Sequence, residues 1–418
     1  MTPIIKIPFL LFLFLFITIN AYAQFNESEF TGGTLGGPEQ VDNRIAEDKD
    51  IAETLYGVGF MYPYNDFKEM LKNSIGLGYG FDYSAAYLQA TDTMGWDNAS
   101  SGMVRLFLAW DLVNRDNENK GGIIFKVEHR HKYTEIPPVQ LSYEVGHAGE
   151  QLRPFNNDGF RLTNFYWRQT LLNGKLTFMV GLLDAKDYVD PYALSSPWTG
   201  FVNFVFGTGS QITYIPNDAA LGVAVGGYVT DHIYLMAGLV DAGADPEQPW
   251  TSFQTFFTNK GYFKSVEVGF VSRASRYSVD NIHVTCWQSD GSDVTGASAG
   301  WGMAFSATWF FGNKWLPFIR GGFARDGGSL YQKSISVGFG YQPIPKGSVL
   351  GLGLNWGEPN ESTLSKGLRQ QYTFEMYYRA QITSRFAITP DAQILINPAF
   401  YTSADAILLW GFRARLSL

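Results

Sequence analysis

Residues 404–418 read ADAILLWGFRARLSL, and this carboxyl-terminal stretch decides the fold. Every second residue from Ala406 to Leu418 is apolar, whereas the alternate positions end in two arginines and a serine. Alternation with a period of two places the two sets on opposite faces of a β-strand. A strand with one wholly apolar, partly aromatic face is typical of a barrel that spans a membrane around a wet interior.

The same alternation recurs in strand-like segments along most of the chain. Most of these segments are near the roughly 9–11 residues that a tilted strand needs to cross a bilayer. Large aromatic residues share the apolar phase, for example in 301–311 and 372–382. We therefore predict an all-β fold, a transmembrane antiparallel β-barrel of about 16 strands. The segments are residues 75–90, 101–113, 122–133, 160–171, 175–184, 219–229, 231–241, 262–273, 281–290, 300–311, 316–324, 333–342, 347–357, 370–382, 386–396 and 405–417.

The connections between these segments alternate in length. One set is short and includes Asn173-Gly174, a strong signal for a two-residue hairpin turn. The other set contains all the long connections. Short periplasmic turns and longer extracellular loops are the asymmetry of an outer-membrane barrel, and an even strand number places both termini on the periplasmic side. The long connections are residues 134–159, 185–218, 242–261 and 357–370.

The residues before the barrel predict two further segments. Residues 1–23 combine an early lysine, an apolar run and the cleavage pattern Ala-Tyr-Ala, which together predict a secretory signal peptide. A transmembrane helix is the alternative, but the run is shorter than the roughly 20 residues that a span needs. We expect residues 24–74 to form a periplasmic or lumenal segment with a short helix at 66–73, and residues 75–418 to form the barrel.

Composition agrees with a membrane barrel and excludes other classes. Apolar residues make up 45% of the chain and charged residues 17%, below the roughly 25% charged residues usual for soluble domains. The single cysteine, Cys286, rules out an internal disulfide framework. A formal net charge of −8 argues against a nucleic-acid partner.

Several stretches carry a resemblance to a known family. They are SIGLGYGFDY (74–83), GKLTFMVGLLD (174–184), WLPFIRGG (315–322), ITPDAQ (388–393) with Asn397-Pro398, and GFR (411–413). In this order the chain resembles the carbohydrate-selective porins of the OprB type from Gram-negative outer membranes. The resemblance implies an outer-membrane porin for facilitated diffusion of small solutes, above all carbohydrates. Two features depart from the family: the Trp-Gly-Gly-Arg-like run is not recognisable at 31–37, and the chain ends in Leu418 rather than phenylalanine.

The function of a porin is set by the side chains that line its lumen. Opposed acids and bases give a transverse field and hydrogen-bond partners for hydroxyl-rich solutes, and aromatic faces stack on sugar rings. We favour Arg320 most, because its stretch resembles an arginine strand of the family and a guanidinium fork binds vicinal hydroxyls or carboxylates. The alternative is that these groups pair with each other and keep the interior hydrated. The inward-phase candidates are Asp82, Arg105, Asp111, Lys126, Glu128, Arg130, Arg168, Glu267, Arg320, Glu375, Arg379, Asp391, Arg413 and Arg415, with the aromatics Phe107, Tyr234 and Phe310.

The longest loop, 185–218, has two possible positions. Its stretch 198–206, WTGFVNFVF, is too apolar for a freely solvated loop. Either it folds into the lumen and narrows it, or it packs on neighbouring loops or on a neighbouring subunit. The partners we expect are a small solute such as a sugar, outer-membrane lipid, the barrel assembly machinery and, in an oligomer, further copies of the chain.

We expect no enzymatic activity and no cofactor. His129 and His131 lie two apart on one strand face, a spacing that could bind a metal, but that face is the lipid phase and we interpret both as interfacial residues. Two functions remain beside a sugar porin: a general or anion- and organic-acid-selective channel, and a structural or adhesion barrel with a plugged lumen. A plugged barrel predicts that residues 24–74 or 185–218 fill the pore.

Overall fold

The computed structural model describes residues 35–50, 62–216, 218–312, 314–343 and 347–418, without the side chains of residues 46–50 and 62. Sixteen antiparallel strands close into one barrel, which confirms the predicted fold. The expected signal peptide, residues 1–23, lies outside the described residues. The strands are β1 (Leu77–Ala90), β2 (Asn98–Val113), β3 (Gly121–Lys132), β4 (Gly159–Leu171), β5 (Leu176–Leu183), β6 (Ala220–Tyr228), β7 (Ile233–Asp241), β8 (Tyr262–Val271), β9 (Asn281–Ser289), β10 (Gly300–Thr308), β11 (Trp315–Asp326), β12 (Tyr331–Tyr341), β13 (Val349–Pro359), β14 (Gln371–Gln381), β15 (Phe386–Ile396) and β16 (Ala406–Ser417).

The first and last strands close the barrel on each other. β1 pairs with β16 in register from Asp82 opposite Ser417 to Ala90 opposite Leu409. Each strand is hydrogen-bonded to a neighbour on both sides, so the barrel has no sheet edge. Closure satisfies the backbone polar groups that the hydrocarbon of a bilayer could not.

The carboxyl-terminal strand has the predicted phase. Leu408, Trp410 and Phe412 are exposed on the outer wall, between 42% and 47% of each side chain. The alternate residues Ile407 and Arg413 are buried inside. Lipid outside and packed side chains inside therefore impose the alternation seen in the sequence.

In the described residues four α-helices accompany the strands: α1 (Val41–Asp50), α2 (Tyr62–Ile75), α3 (Pro138–Glu144) and α4 (Ser252–Thr258). The short helix predicted at 66–73 lies within α2, whereas α1 was not predicted. None of the helices in the described parts of the chain is both long and apolar enough to cross a membrane.

A β-bulge in β4 determines which residues after Thr163 point into the lumen. Lys126 pairs with Asn164 but the next residue of β3, Val127, pairs with Leu162, so Thr163 is the extra residue. Thr163 and Asn164 are consecutive and both buried. The bulge shifts the alternation by one position and turns Arg168 into the lumen.

Candidate functional site

The long connection between β5 and β6, residues 185–218, folds into the barrel. The backbone N–H groups of Val202 and Asn203 donate to the two carboxylate oxygens of Glu375 at 2.6 and 2.9 Å. Arg413 donates to two loop carbonyls at 2.6 and 3.0 Å. Glu375 and Arg413 are inward residues of β14 and β16, so the loop is anchored to the far wall of the lumen.

Apolar packing holds the same loop in place. The Phe201 ring lies 5.0 Å from Tyr377 and 5.7 Å from Phe318, both on the inner wall. Phe206 lies 4.7 Å from Phe201, again between ring centroids. The aromatic run at 198–206 therefore forms a core with the wall, which decides between the two positions in favour of inward folding.

Asp190 is a second anchor of the loop. Its carboxylate accepts from Arg320 at 2.6 Å and lies 2.9 Å from His283 Nε2. Burial alone would raise the pKa of Asp190, but the charge of Arg320 and a hydrogen bond with His283 hold it below its usual value. Arg320 also donates to Ser306 at 2.9 Å and stacks 4.0 Å above Tyr192. This arginine is fully buried beneath the loop, so its predicted contact with solute stays a prediction.

The amino-terminal residues 35–45 lie in the lumen as well. Glu39 Oε2 is 3.1 Å from Arg105 Nη1 on β2, and Asp42 forms an ion pair with Arg168 on β4. Burial would raise the pKa of Glu39, but the charges of its arginine neighbours lower it below the usual value.

A cavity of about 90 Å³ remains between this segment, the loop and the wall of β3. Charged groups of both signs line it together with the ring of Trp198. The cationic lining residues are Lys126, Arg130, Arg153 and Lys186, and the acidic ones are Glu39, Glu128, Glu150, Asp184, Asp187 and Asp218.

Ion pairs and hydrogen bonds hold the lining groups in place. Arg130 donates to Glu128 at 2.9 and 2.7 Å and to Asp218 at 3.2 and 2.8 Å. Lys126 Nζ lies 3.3 Å from both carboxylate oxygens of Asp187, which also accepts from Asn164 at 2.8 Å. Side chains held in this way present a preorganised set of donors and acceptors to a solute.

Burial shifts the pKa values of several groups that line the cavity. Burial raises the pKa of Asp187 to about 7, although Lys126 opposes the shift. Burial also raises the pKa of Asp184 and lowers the pKa of Lys186. Near neutral pH the charge of the cavity therefore depends on pH.

The predicted lumen residues fall into three places. Lys126, Glu128 and Arg130 line the cavity. Arg105 lies at its edge, where its guanidinium stacks 3.8 Å above the Trp198 ring and binds Asp82. The remaining candidates lie beneath the loop or the amino-terminal segment, or near the periplasmic end: Arg168, Glu267, Arg320, Glu375, Asp391, Arg413, Arg415, Asp111, Arg379, Phe107, Tyr234 and Phe310.

Sequence reasoning missed the lining residues that are carried by loops. Glu39, Glu150, Arg153, Lys186 and Asp187 are on connections without periodicity, so no phase could assign them to the lumen. The apolar run from residue 198 was the available signal, and it begins with the tryptophan of the cavity wall.

The histidine pair belongs to the outer wall. The rings of His129 and His131 are 5.5 Å apart, and His131 Nε2 lies 3.2 Å from the hydroxyl of Tyr83. No group of three metal-ligating side chains occurs among the described residues. Residues 296–300 read GASAG, a pattern also found at hydrolase nucleophiles, but here it leads into strand β10 rather than into a helix.

Comparison with known proteins adds a family and a set of similar folds. The family model described as carbohydrate-selective porin, OprB family, matches residues 117–276 and 272–418. A structure of Pseudomonas putida OprB at high pH is 13% identical, covers 85% of this chain and 97% of its own, and has a TM-score of 0.65. A triple mutant of the Rhodopseudomonas blastica porin is 12% identical, with coverage of 82% and 100% and a TM-score of 0.51. No curated protein matches the chain.

Proposed function

The chain belongs to the carbohydrate-selective porin family of the OprB type, and on this premise we propose that sugars cross the barrel through the cavity beside Lys126 and Arg130. The family places the protein in the outer membrane of a Gram-negative cell as a porin for solute diffusion. In this proposal the cavity is the site at which the solute is selected.

The observation that carries the proposal is the composition of the cavity wall. Arg130 and Lys126 offer N–H donors, and Glu128 and Asp218 offer acceptors, within one space of about 90 Å³. A sugar hydroxyl donates and accepts at once, so a wall of mixed sign suits it better than a wall of one sign. Trp198 supplies an apolar face for the C–H side of a sugar ring.

The buried anchors have a different role in this proposal. Arg320, Glu375 and Arg413 hold the loop 185–218 rather than the solute, because each is engaged with loop atoms. They position the wall that carries Trp198 and Asp187. Substitution of these anchors should loosen the loop, which narrows the lumen. Substitution of a side chain that lines the cavity should instead change the affinity for the solute.

Further details extend the proposal to the whole chain. We place the signal peptide at residues 1–23, the amino-terminal segment at 24–74 and the barrel at 75–418. Outer-membrane lipid and the barrel assembly machinery are the partners that such a barrel needs, and a homo-oligomer is compatible with the fold. The proposal includes no cofactor and no catalytic step.

Arg130→Lys tests the proposed site in a planar bilayer. The lysine keeps the charge but loses the fork that orients Glu128 and Asp218. Block of the ion current by added glucose should need severalfold more sugar in this variant than in the wild type. Arg115→Lys is the matched control, because Arg115 is exposed on the periplasmic turn after β2. Equal block in all three proteins would contradict the assignment of the cavity.

One observation favours a second function. Residues 35–45 and 185–218 both occupy the lumen, as a structural or adhesion barrel with a plugged lumen requires. A folded protein that passes neither ions nor sugars would support that role. Ion current without any sugar effect would instead support a general or anion-selective channel.

A further inference from the structure

The amino-terminal segment 35–45 forms the floor of the cavity. Glu39 lines the cavity, and the backbone N–H of Gly37 donates to the carbonyl of Asp187 at 3.0 Å. The segment thus lies directly beneath the loop 185–218, on the periplasmic side of the solute site. A solute that enters the cavity from outside meets this segment before it reaches the periplasm.

Part of the wall behind the segment is apolar. Leu35 and Val41 are buried in one cluster with the inward residues Phe107, Ile124 and Tyr166. The lumen of a water-filled porin is polar as a rule. Leu35 and Val41 therefore cover apolar surface of the inner wall that water would otherwise meet.

The acidic side chains of the segment occupy two arginines of the wall. Glu39 and Arg105 are 3.1 Å apart, and Asp42 pairs with Arg168. Asp82 on β1 holds the opposite side of Arg105, and Asp111 on β2 accepts from Arg168 at 3.4 Å. Each arginine therefore turns one side to the wall and the other side to a carboxylate of the segment.

The segment is not part of the closed sheet. All sixteen strands pair with each other, and residues 35–45 add no strand to them. Displacement of the segment would break side-chain contacts and a few loop hydrogen bonds but leave the strand ladder intact. The barrel wall therefore does not depend on the segment for its closure.

We propose that residues 35–45 are a displaceable plug that occupies a solute site on Arg105 and Arg168, and that a carboxylate-bearing sugar takes the place of Glu39 and Asp42 on these arginines. The chemistry of the plug defines the class of solute, because two guanidinium groups that hold carboxylates in a narrow lumen select for carboxylates. The inference rests on the proposed function, since it places a second site below the cavity along the same path.

The test compares four proteins in planar bilayers: wild type, a deletion of residues 35–45, Glu39→Gln with Asp42→Asn, and the control Asp66→Asn with Asp116→Asn. The control removes the same number of negative charges from exposed periplasmic positions. A shift of the folded band on an unheated gel verifies the barrel in each case. Sodium glucuronate and glucose are the two probes.

The deletion should raise single-channel conductance severalfold. The double variant at Glu39 and Asp42 should bind glucuronate severalfold more tightly than the control does, with block by glucose unchanged. If both plug variants match the control in conductance and in glucuronate block while the wild type conducts, the plug is refuted and the porin function stands. If the folded deletion variant does not conduct, the proposed function itself fails. If the deletion does not fold, the double variant alone decides.

Discussion

Arg320 Nη2 lies 2.6 Å from Asp190 Oδ2, and this ion pair joins the middle of strand β11 to the loop that crosses the lumen. Both side chains are buried to 99% or more. A buried pair of this kind contributes through position as much as through energy, because either partner alone would be a desolvated charge. The constriction of the pore therefore depends on residues that do not touch its open space.

Arg320→Ala should loosen the loop and make the channel noisier. Removal of one partner of a buried pair costs about 3–5 kcal/mol, and Asp190 would be left without its guanidinium. We expect larger current fluctuations and faster amide exchange in 185–218, measured in bilayers and by mass spectrometry. Arg325→Ala on the exposed face of the same strand should change neither. An Arg320→Ala channel as quiet as the wild type would show that the pair does not hold the loop.

Glu375→Ala should have a similar effect on the far side of the loop. The N–H groups of Val202 and Asn203 would lose their acceptors, and each unsatisfied buried donor costs about 1–3 kcal/mol. Proteolysis within the loop should be faster, as followed by gel analysis of the intact barrel. Glu358→Ala, near the outer end of β13, is the comparison. Equal cleavage of the two variants would argue against this anchor.

The ion selectivity of the pore should change with pH near neutrality. The pKa of Asp187 is raised from 3.8 to about 7, so the cavity gains a negative charge as the pH rises through that value. Lys126, Glu39 and Asp184 face the same carboxyl. Reversal potentials in a KCl gradient should become more cation-selective between about pH 6 and 8.

Asp187→Asn should abolish that change in selectivity. The same pKa shift has a consequence for stability with a definite sign. The folded protein binds the Asp187 proton more tightly than the unfolded chain, so this group lowers stability as the pH rises from 3.8 to about 7 and adds no further change above it. A selectivity change that persists in Asp187→Asn would locate the titrating group elsewhere.

His147 should make the loop sensitive to acid. Its imidazole is buried between Asn203 and Gln371, and burial lowers its pKa from 6.5 to about 4. The unfolded chain binds this proton more tightly, so the contribution of His147 to stability is complete above about pH 6.5 and decreases as the pH falls toward about 4. Amide exchange in 198–206 should be faster at pH 5 than at pH 7, relative to intrinsic rates. His147→Gln, which does not titrate, should show no such excess.

The strands were predictable because each has lipid on one side and a packed lumen on the other. This constraint imposes a period of two, and the phase read from Ala406 to Leu418 is the phase observed. The inward position of Arg168 depends on the bulge at Thr163, which moves the alternation of β4 by one residue. All the inward candidates of the sequence do lie on inward positions of the strands or at their ends.

The interior of the pore was less predictable. The loop 185–218 and the segment 35–45 contact many strands without any regular spacing, so a periodic pattern could not place Glu39 or Asp187. Composition indicated only that the run at 198–206 needed a covered position. The importance of Arg320 was anticipated, whereas its engagement with Asp190 required the fold of the loop.

Liposome swelling measures directly whether sugars diffuse through this barrel. Purified and refolded protein in liposomes should cause swelling in isotonic glucose at a rate proportional to the protein added. Swelling should be slower in an isotonic tetrasaccharide, because the loop 185–218 and residues 35–45 narrow the lumen around the cavity. Folded protein that causes no swelling with any sugar would contradict the account and leave a barrel with a closed lumen.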